Sequence, residues 1–422
     1  MRKLRVAIKT LGCRLNQAES ARIVAQFVEA GYEIVPFGDP CDVCVIHGCT
    51  VTQNAENESL RLSRAARRQP GQPVVVLAGC PSEVVDSERL RAAGITIVAR
   101  QKDKFHLPDL VWQSLHPNDP ATCPTEANPV PRFDTVRAWV KVQDGCDFRC
   151  AYCVVPLARG RPVSRPLESV VEEARQLADR GHRELVLTGA NLGCYRDSAN
   201  TLVDLLSALE PISGMERIRL SSIEITTTEG AIVDYMATSA KVCAFLHLPL
   251  QSGDDRILAA MGRRYTSADY RRVVEHACER LPLLGLGTDV IVGFPGEDDA
   301  AFDASVRLIS AYPFSNLHVF PYSRRPGTRA AELSSQVPSA IKKHRVAVLL
   351  KLAGELRAAF ATRFLGRTTH VLVERAGANG AGIGWTPEYV EARVQGAGTA
   401  IGQNVPALVT GTQGAVLTCA RA

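Results

Sequence analysis

The sequence predicts an α/β protein in three parts: a doubly wound parallel sheet, a partial (βα)6 barrel and a small C-terminal β-barrel. Three observations predict this. Over residues 1–106, apolar strand-like runs alternate with amphipathic helical stretches, as in a parallel sheet. After a Pro-rich linker over 107–132, the alternation resumes with six strand-like runs through 133–364. Over 365–422 the helices stop, and short alternating runs with glycine turns replace them.

The bulk properties fit this division. A chain of 422 residues suits two or three domains. It is 46% hydrophobic and 22% charged, ordinary values for a globular protein. The net charge of +5 permits a nucleic-acid partner without arguing for one. The basic N-terminus has its apolar run broken by Lys9, so no signal peptide is expected. No apolar run reaches the roughly 18 residues of a membrane span. The expected location is therefore cytoplasmic, where 13 cysteines point to metal or redox chemistry rather than disulfides.

In the first part, the strand Leu4–Thr10 runs into Leu11-Gly12-Cys13. A helix over Ala18–Ala30 carries Ile23, Val24, Phe27 and Val28 on one stripe, and Gly31 ends it. The strand Val43–Ile46 runs into His47-Gly48-Cys49. A helix over Glu56–Arg68 follows, then the strand Val74–Ala78, running into Gly79-Cys80. One more helix leads to a strand at Ile95–Val98. Cys13, Cys49 and Cys80 thus share one phase: each follows a strand and a glycine. The carboxyl ends of such strands lie on one edge, where ligands bind. The three thiols are expected to converge there, and three convergent thiolates suit a cluster with one open iron. A zinc site on Cys41, Cys44 and Cys49 is rejected, because Cys44 lies inside a strand and Cys41 follows a turn. His47 is read as a polar loop residue. Arg61, Arg64, Arg67 and Arg68 form a basic helix face, read as solvated, with a weaker case for guiding an anionic substrate.

The linker contains Pro117, Pro120, Pro124, Pro129 and Pro131, and Cys123 in it is given no role. In the central part the strands are Ala138–Val142, Leu185–Leu187, Arg217–Leu220, Phe245–Leu248, Asp289–Val292 and Leu317–Phe320. Barrel chemistry gathers at strand carboxyl ends. There the chain places Gly189 and Gly293, which would let a ligand approach the backbone, and Asn191, Ser222, Glu224 and Gln251, candidates for hydrogen bonds to an amino-acid moiety and ribose hydroxyls. His247, between two leucines, is read as structural. After the first strand comes Cys146-x3-Cys150-x2-Cys153. Three thiolates on a short loop can hold three irons of a cubic cluster and leave the fourth open. Tyr152 would cover one face of what docks there. A zinc knuckle would need a fourth ligand, and no Cys or His lies near in sequence. Arg159, Arg161 and Arg165 follow the loop and suit phosphate. In the last part, a helix over Ser339–Arg363 ends at Gly366, and strands are expected at Thr369–Glu374, Tyr389–Val394, Val405–Val409 and Ala415–Cys419. Trp385 and Tyr389 are read either as base-stacking residues or as core.

The loop with Tyr152 between its last two cysteines resembles the signature of the radical S-adenosylmethionine (SAM) superfamily, whose fold is the partial (βα)6 barrel. Together with Gly12-Cys13, Gly48-Cys49, Gly79-Cys80, Gly293-Phe294-Pro295-Gly296-Glu297 and a TRAM-like terminal barrel, the chain resembles the radical SAM methylthiotransferases. It is most similar to the branch acting on N6-threonylcarbamoyladenosine of tRNA, through Arg217–Glu224, His318–Ser323 and Leu187-Thr188-Gly189. One departure is His47-Gly48, where the family usually has Asn-Thr. The resemblance implies two [4Fe–4S] clusters, one on Cys146, Cys150 and Cys153, the other on Cys13, Cys49 and Cys80. It implies S-adenosylmethionine bound near Tyr152, Gly189, Asn191, Ser222, Glu224, Gln251 and Gly293. The first cluster would reduce it, and the resulting radical would take hydrogen from the adenine 2-position. The second would supply sulfur. Implied partners are tRNA, an electron donor such as flavodoxin or ferredoxin, and a sulfur source. Isopentenyladenosine in tRNA and an aspartate of a ribosomal protein are rival substrates, and a non-enzymatic iron–sulfur RNA sensor is the rival of another class.

Overall fold

The computed structural model describes residues 2–118, 129–228, 230–377, 380–396 and 400–422. Pro120, Cys123 and Pro124 of the expected linker lie outside the described residues. The N-terminal sheet has five parallel strands: β1 (Arg5–Thr10), β2 (Glu33–Val35), β3 (Val43–Gly48), β4 (Val74–Gly79) and β5 (Ile97–Val98). Their order is β2-β1-β3-β4-β5. β3 is buried along its whole length, as expected of a central parallel strand covered on both faces. Val43 and Val45 pack with Ile23 and Phe27 on one face, while Cys44 and Ile46 pack with Leu60 and Leu62 on the other. The winding reverses between β1 and β3, which opens a crevice at their carboxyl ends.

The single helix expected before β5 is two short ones, Pro81–Val84 and Ser87–Ala92, and two other elements differ from expectation. β2 is a three-residue edge strand, too short for a periodic signal. The expected linker opens instead with a helix, Leu107–Leu115, whose Leu107 and Val111 are buried in the same core as Phe27. Pro108 sits in its first turn, where the missing N–H costs nothing.

The central part has six parallel strands. β6 (Arg137–Lys141), β9 (Glu184–Thr188) and β10 (Arg217–Leu220) form one sheet; β11 (Phe245–His247), β12 (Gly285–Val292) and β13 (Phe314–Pro321) form another. The bridges Ile218–Val242 and Ser222–His247 join them at β10 and β11. A short antiparallel pair, β7 (Gln143–Asp144) and β8 (Val163–Ser164), brackets the cysteine loop. The helix Ser339–Thr362 feeds Phe360 and Ala361 into the core of a closed barrel. Its strands are β14 (Thr368–Ala376), β15 (Gly382–Trp385), β16 (Glu391–Gln395), β17 (Asn404–Gln413) and β18 (Val416–Arg421). β15, short and half glycine, has no counterpart among the expected strands. No helix among the described residues is long and apolar enough to cross a membrane.

The terminal barrel closes the base of the central one. Arg217 and Arg219 lie two apart on β10 and so share a face. Arg217 donates to the carbonyls of Trp385 (2.7 Å) and His370 (2.8 Å), and Arg219 to that of Pro387 (2.9 Å). Glu184 on β9 accepts from Arg219 Nε at 2.7 Å and is fully buried. Trp385 and Tyr389 stack at 4.6 Å, and Tyr389 lies under Arg219 (4.7 Å) and against Phe245 (5.0 Å). Both rings therefore serve this interface. Glu184→Gln leaves buried guanidinium groups without their counter-charge, and should lower stability by about 3–5 kcal/mol in urea unfolding. An unchanged midpoint would mean that the carbonyls alone satisfy the arginines.

Candidate active site between the two cysteine trios

The loops after β1, β3 and β4 pack so closely that side chains are excluded. Gly12 has φ +94°, and a Cβ there would lie 2.6 Å from Cys49 Cβ. Asn16, one turn into the first helix, donates to the carbonyls of Leu11 and Gly48, both at 2.8 Å, and so ties the Cys13 loop to the Cys49 loop. Burial pushes the Cys49 thiol up to about 11, and its neighbours Cys13 and Cys80 add to that. Burial also raises Cys80, against the pull of Arg159. The three thiols are thus electrostatic neighbours, as the phase of their strands predicts. His47 is a correction: it is no loop residue but a buried member of β3, with Nδ1 2.7 Å from Ser20 Oγ. Pro81 and Ser59 fill the space beside Gly48. The His47-Gly48 departure is therefore absorbed by packing.

The second trio is held by a loop that needs glycine at its start. Gly145 has φ +71°, and a Cβ there would lie 2.0 Å from the Arg161 carbonyl oxygen. Cys146 N–H donates to the Gly160 carbonyl (3.0 Å), and Ala151 N–H to that of Met261 (2.7 Å). Arg263, absent from the sequence expectations, donates to Cys150 Sγ at 3.2 Å and to Glu224 Oε1 at 2.8 Å. Burial pushes Cys153 up to about 12 and also raises Cys146. Metal binding must then displace protons, since thiolates are the ligands. Among the described residues, the one group whose ligand atoms all lie within 4.8 Å is His247, Asp289 and His318. Neither cysteine trio is drawn in as tightly as ligands of one ion. In a cubane each thiolate takes a different iron, so the donor chemistry and spread of each trio fit a cluster better than zinc.

A cavity of about 180 Å³ lies between the trios. Val51 and Thr52 wall it from the loop after Cys49, Tyr152 and Cys153 from the second loop, and Gln251 and Tyr322 from the barrel. Gln251 holds φ +65°, a strained backbone for a non-glycine residue. Of the other expected contacts, Glu224 reaches Cys150 through Arg263. Asn191 is buried beside Thr227, with its Nδ2 unpartnered. Ser222 is exposed and bridges His247 through its backbone. Two glycines have packing roles. A Cβ at Gly189 would meet Gln143 Oε1 at 2.8 Å, and one at Gly293 would meet Lys342 Cγ at 2.1 Å. The Gly293 N–H is already given to Glu297 Oε1 (2.9 Å). The run of arginines is also corrected: Arg165 is spent on Lys141 O and Ser169, and Arg159 is buried, leaving Arg161 exposed.

Arg159 belongs to a buried ionic hub that joins the two cysteine-bearing parts. Glu19 Oε1 of the first helix meets Lys104 Nζ (2.5 Å), Lys141 Nζ (2.8 Å) and Arg159 Nη1 (3.1 Å). Arg159 also donates to Asn16 Oδ1 (2.6 Å) and Asp144 Oδ1 (2.9 Å). Burial alone would raise the Glu19 carboxyl, but Arg159, Lys141 and Lys104 outweigh it and hold it well below the usual range. On the other side, Arg325 is buried against Glu56, and Gln53 N–H donates to Ser323 Oγ (3.0 Å).

Comparison with known proteins agrees with this geometry. The radical SAM superfamily matches residues 140–309, which include Cys146, Cys150 and Cys153. The uncharacterized protein family UPF0004 matches residues 5–99, which include Cys13, Cys49 and Cys80. A protein of Aquifex aeolicus named threonylcarbamoyladenosine tRNA methylthiotransferase MtaB is 37% identical, covering 88% of this chain and 93% of its own. One of the same name from Bacillus subtilis is 34% identical, covering 95% and 92%. The chain belongs to the radical S-adenosylmethionine methylthiotransferase family. The methylthiotransferase is thus a transferase whose superfamily implies S-adenosylmethionine and a [4Fe–4S] cluster. In fold it is similar to the radical SAM methyltransferase TsrM of Kitasatospora setae, with TM-score 0.58 at 18% identity, covering 78% of this chain and 77% of that one. It is also similar to the radical SAM enzyme OxsB, with TM-score 0.54 at 11% identity, covering 82% and 56%.

Two outcomes follow for the methylthiotransferase. Glu19→Gln should cost about 3–5 kcal/mol at neutral pH. The Glu19 carboxyl is depressed in the folded state, so its contribution is full above the unfolded value of about 4.3 and lost as pH falls further. Urea unfolding from pH 7 down to pH 3 should therefore show a shallower acid-side decline in the variant; parallel declines would exclude Glu19 as a source of the slope. Gly145→Ala should lower iron per reconstituted chain. Full iron content would mean that the loop relaxes around the added methyl.

Proposed function

We propose that this methylthiotransferase acts on tRNA and places a methylthio group at the 2-position of N6-threonylcarbamoyladenosine next to the anticodon, using two [4Fe–4S] clusters. The single observation that carries this reading is the shared cavity: loops adjoining both cysteine trios wall one space of about 180 Å³. The names of relatives 34–37% identical support the nucleoside. When bound, the clusters and S-adenosylmethionine supply the C–H activation and sulfur chemistry that side chains cannot.

The chain's own residues bind and orient. Cys146, Cys150 and Cys153 hold one cluster, and Cys13, Cys49 and Cys80 the other. Tyr152 and Gln251 wall the space for S-adenosylmethionine, with Asn191 and Ser222 as further polar contacts. Arg263, fixed by Glu224, presents a cation beside Cys150, suited to a carboxylate. Gly189 and Gly293 shape the site through packing. Val51, Ile291 and Phe320 give the cavity apolar surface. A reduced flavodoxin or ferredoxin and a sulfur source complete the partners.

Mass analysis of tRNA nucleosides tests the substrate. A deletion strain should lack 2-methylthio-N6-threonylcarbamoyladenosine, and the wild-type gene should restore it. An unchanged level, or loss of the isopentenyl counterpart instead, would overturn the assignment. In vitro, Cys80→Ala should abolish methylthiolated product while 5′-deoxyadenosine still forms. Loss of that cleavage with the Cys146 cluster intact by spectroscopy would refute the division of labour between the trios.

A further inference from the structure

Three side chains outside both trios meet in the wall of the central barrel. His247 ends β11, Asp289 lies in β12 and His318 in β13, with Asp289 and His318 paired in register. Their ligand atoms all lie within 4.8 Å of one another. His247 Nε2 and His318 Nδ1 are each 3.0 Å from Asp289 Oδ1. Ligands about 2.1 Å from one ion stand about 3 Å apart at octahedral angles and about 3.4 Å apart at tetrahedral ones, within a few tenths of an ångström of these separations.

The two contacts are not equivalent. His318 makes a hydrogen bond to Asp289. His247 Nε2 is buried and lies 3.0 Å from Asp289 Oδ1, an approach outside ideal hydrogen-bond alignment. A buried polar atom left so costs stability. An imidazole nitrogen aimed at a point shared with a carboxylate is also the arrangement of a metal ligand. Gly287 leaves room for this ring: a Cβ there would lie 2.7 Å from His247 Nδ1. Two imidazoles and one carboxylate form a donor set for divalent first-row ions. Asp289 lines the cavity and His318 is exposed, so further coordination positions are accessible.

We propose that His247, Asp289 and His318 form a mononuclear site for a divalent ion of the zinc or ferrous class, with open positions that take water or another oxygen donor. The site uses no cysteine and does not depend on which nucleoside is modified.

The test counts metal without tRNA, on the full chain with its clusters loaded under anaerobic conditions. After dialysis against zinc sulfate and desalting, the wild type should carry about one equivalent of zinc per chain, bound as a mononuclear ion. That zinc should be lost in His318→Ala and in His247→Gln, while iron per chain and circular dichroism stay unchanged. X-ray absorption at the zinc edge of the wild type should find a shell of nitrogen and oxygen only. Zinc absent from the wild type, zinc retained in both variants, or sulfur in the zinc shell would each overturn the site. The last readout does not depend on how the variants fold.

Discussion

The buried Glu19 carboxylate is the interaction on which the active-site geometry depends. It belongs to the first helix of the N-terminal sheet, while Lys141 and Arg159 belong to the central barrel. Desolvating a carboxylate is costly unless opposite charges and hydrogen bonds surround it. Here three cations do so, and Arg159 extends the contact to Asn16, beneath the Cys13 and Cys49 loops. Arg159 follows Cys153 by only six residues. One guanidinium therefore couples the position of one trio to that of the other. The contact of Arg325 with Glu56 is a second ionic tie between the N-terminal sheet and the central part.

The base of the barrel follows the same logic. Arg217, Arg219 and Glu184 fill a region that a closed barrel would pack with branched apolar chains. Because the central sheet is open, these groups are satisfied by carbonyls of the terminal module. The terminal module is thus structural for the core, and its aromatic pair is spent on that task.

Much of this was legible in the sequence, for a physical reason in each case. The phase of Cys13, Cys49 and Cys80 relative to their strands follows from sheet topology, which requires only strand periodicity. The Cys146 loop is local in sequence, so its spacing carried its chemistry. All six central strands were found because each has apolar residues that run together or alternate, as in Arg217–Leu220. What escaped was set by tertiary partners. Glu19 and Arg263 look like solvent-facing charges, and Arg159 like a phosphate-binding one, until their distant partners are known. Pro108 suggested a linker, although a first-turn proline is compatible with a helix. Gly189 and Gly293 suggested ligand approach, yet neighbouring side chains occupy the space. His247 reads as a strand residue between leucines, and nothing local announces Asp289 and His318 beside it.

The junction at the barrel base also imposes an order of events in the cell. Arg14, the residue after Cys13, donates to the Tyr389 hydroxyl at 3.2 Å, across 375 positions of chain. That contact cannot form until translation has passed nearly the whole protein, since domains assemble as the nascent chain emerges. The N-terminal sheet can fold early, but the surroundings of its first cysteine are completed last. A nascent chain stalled before the terminal module would therefore carry its first cysteine in a setting that lacks this contact.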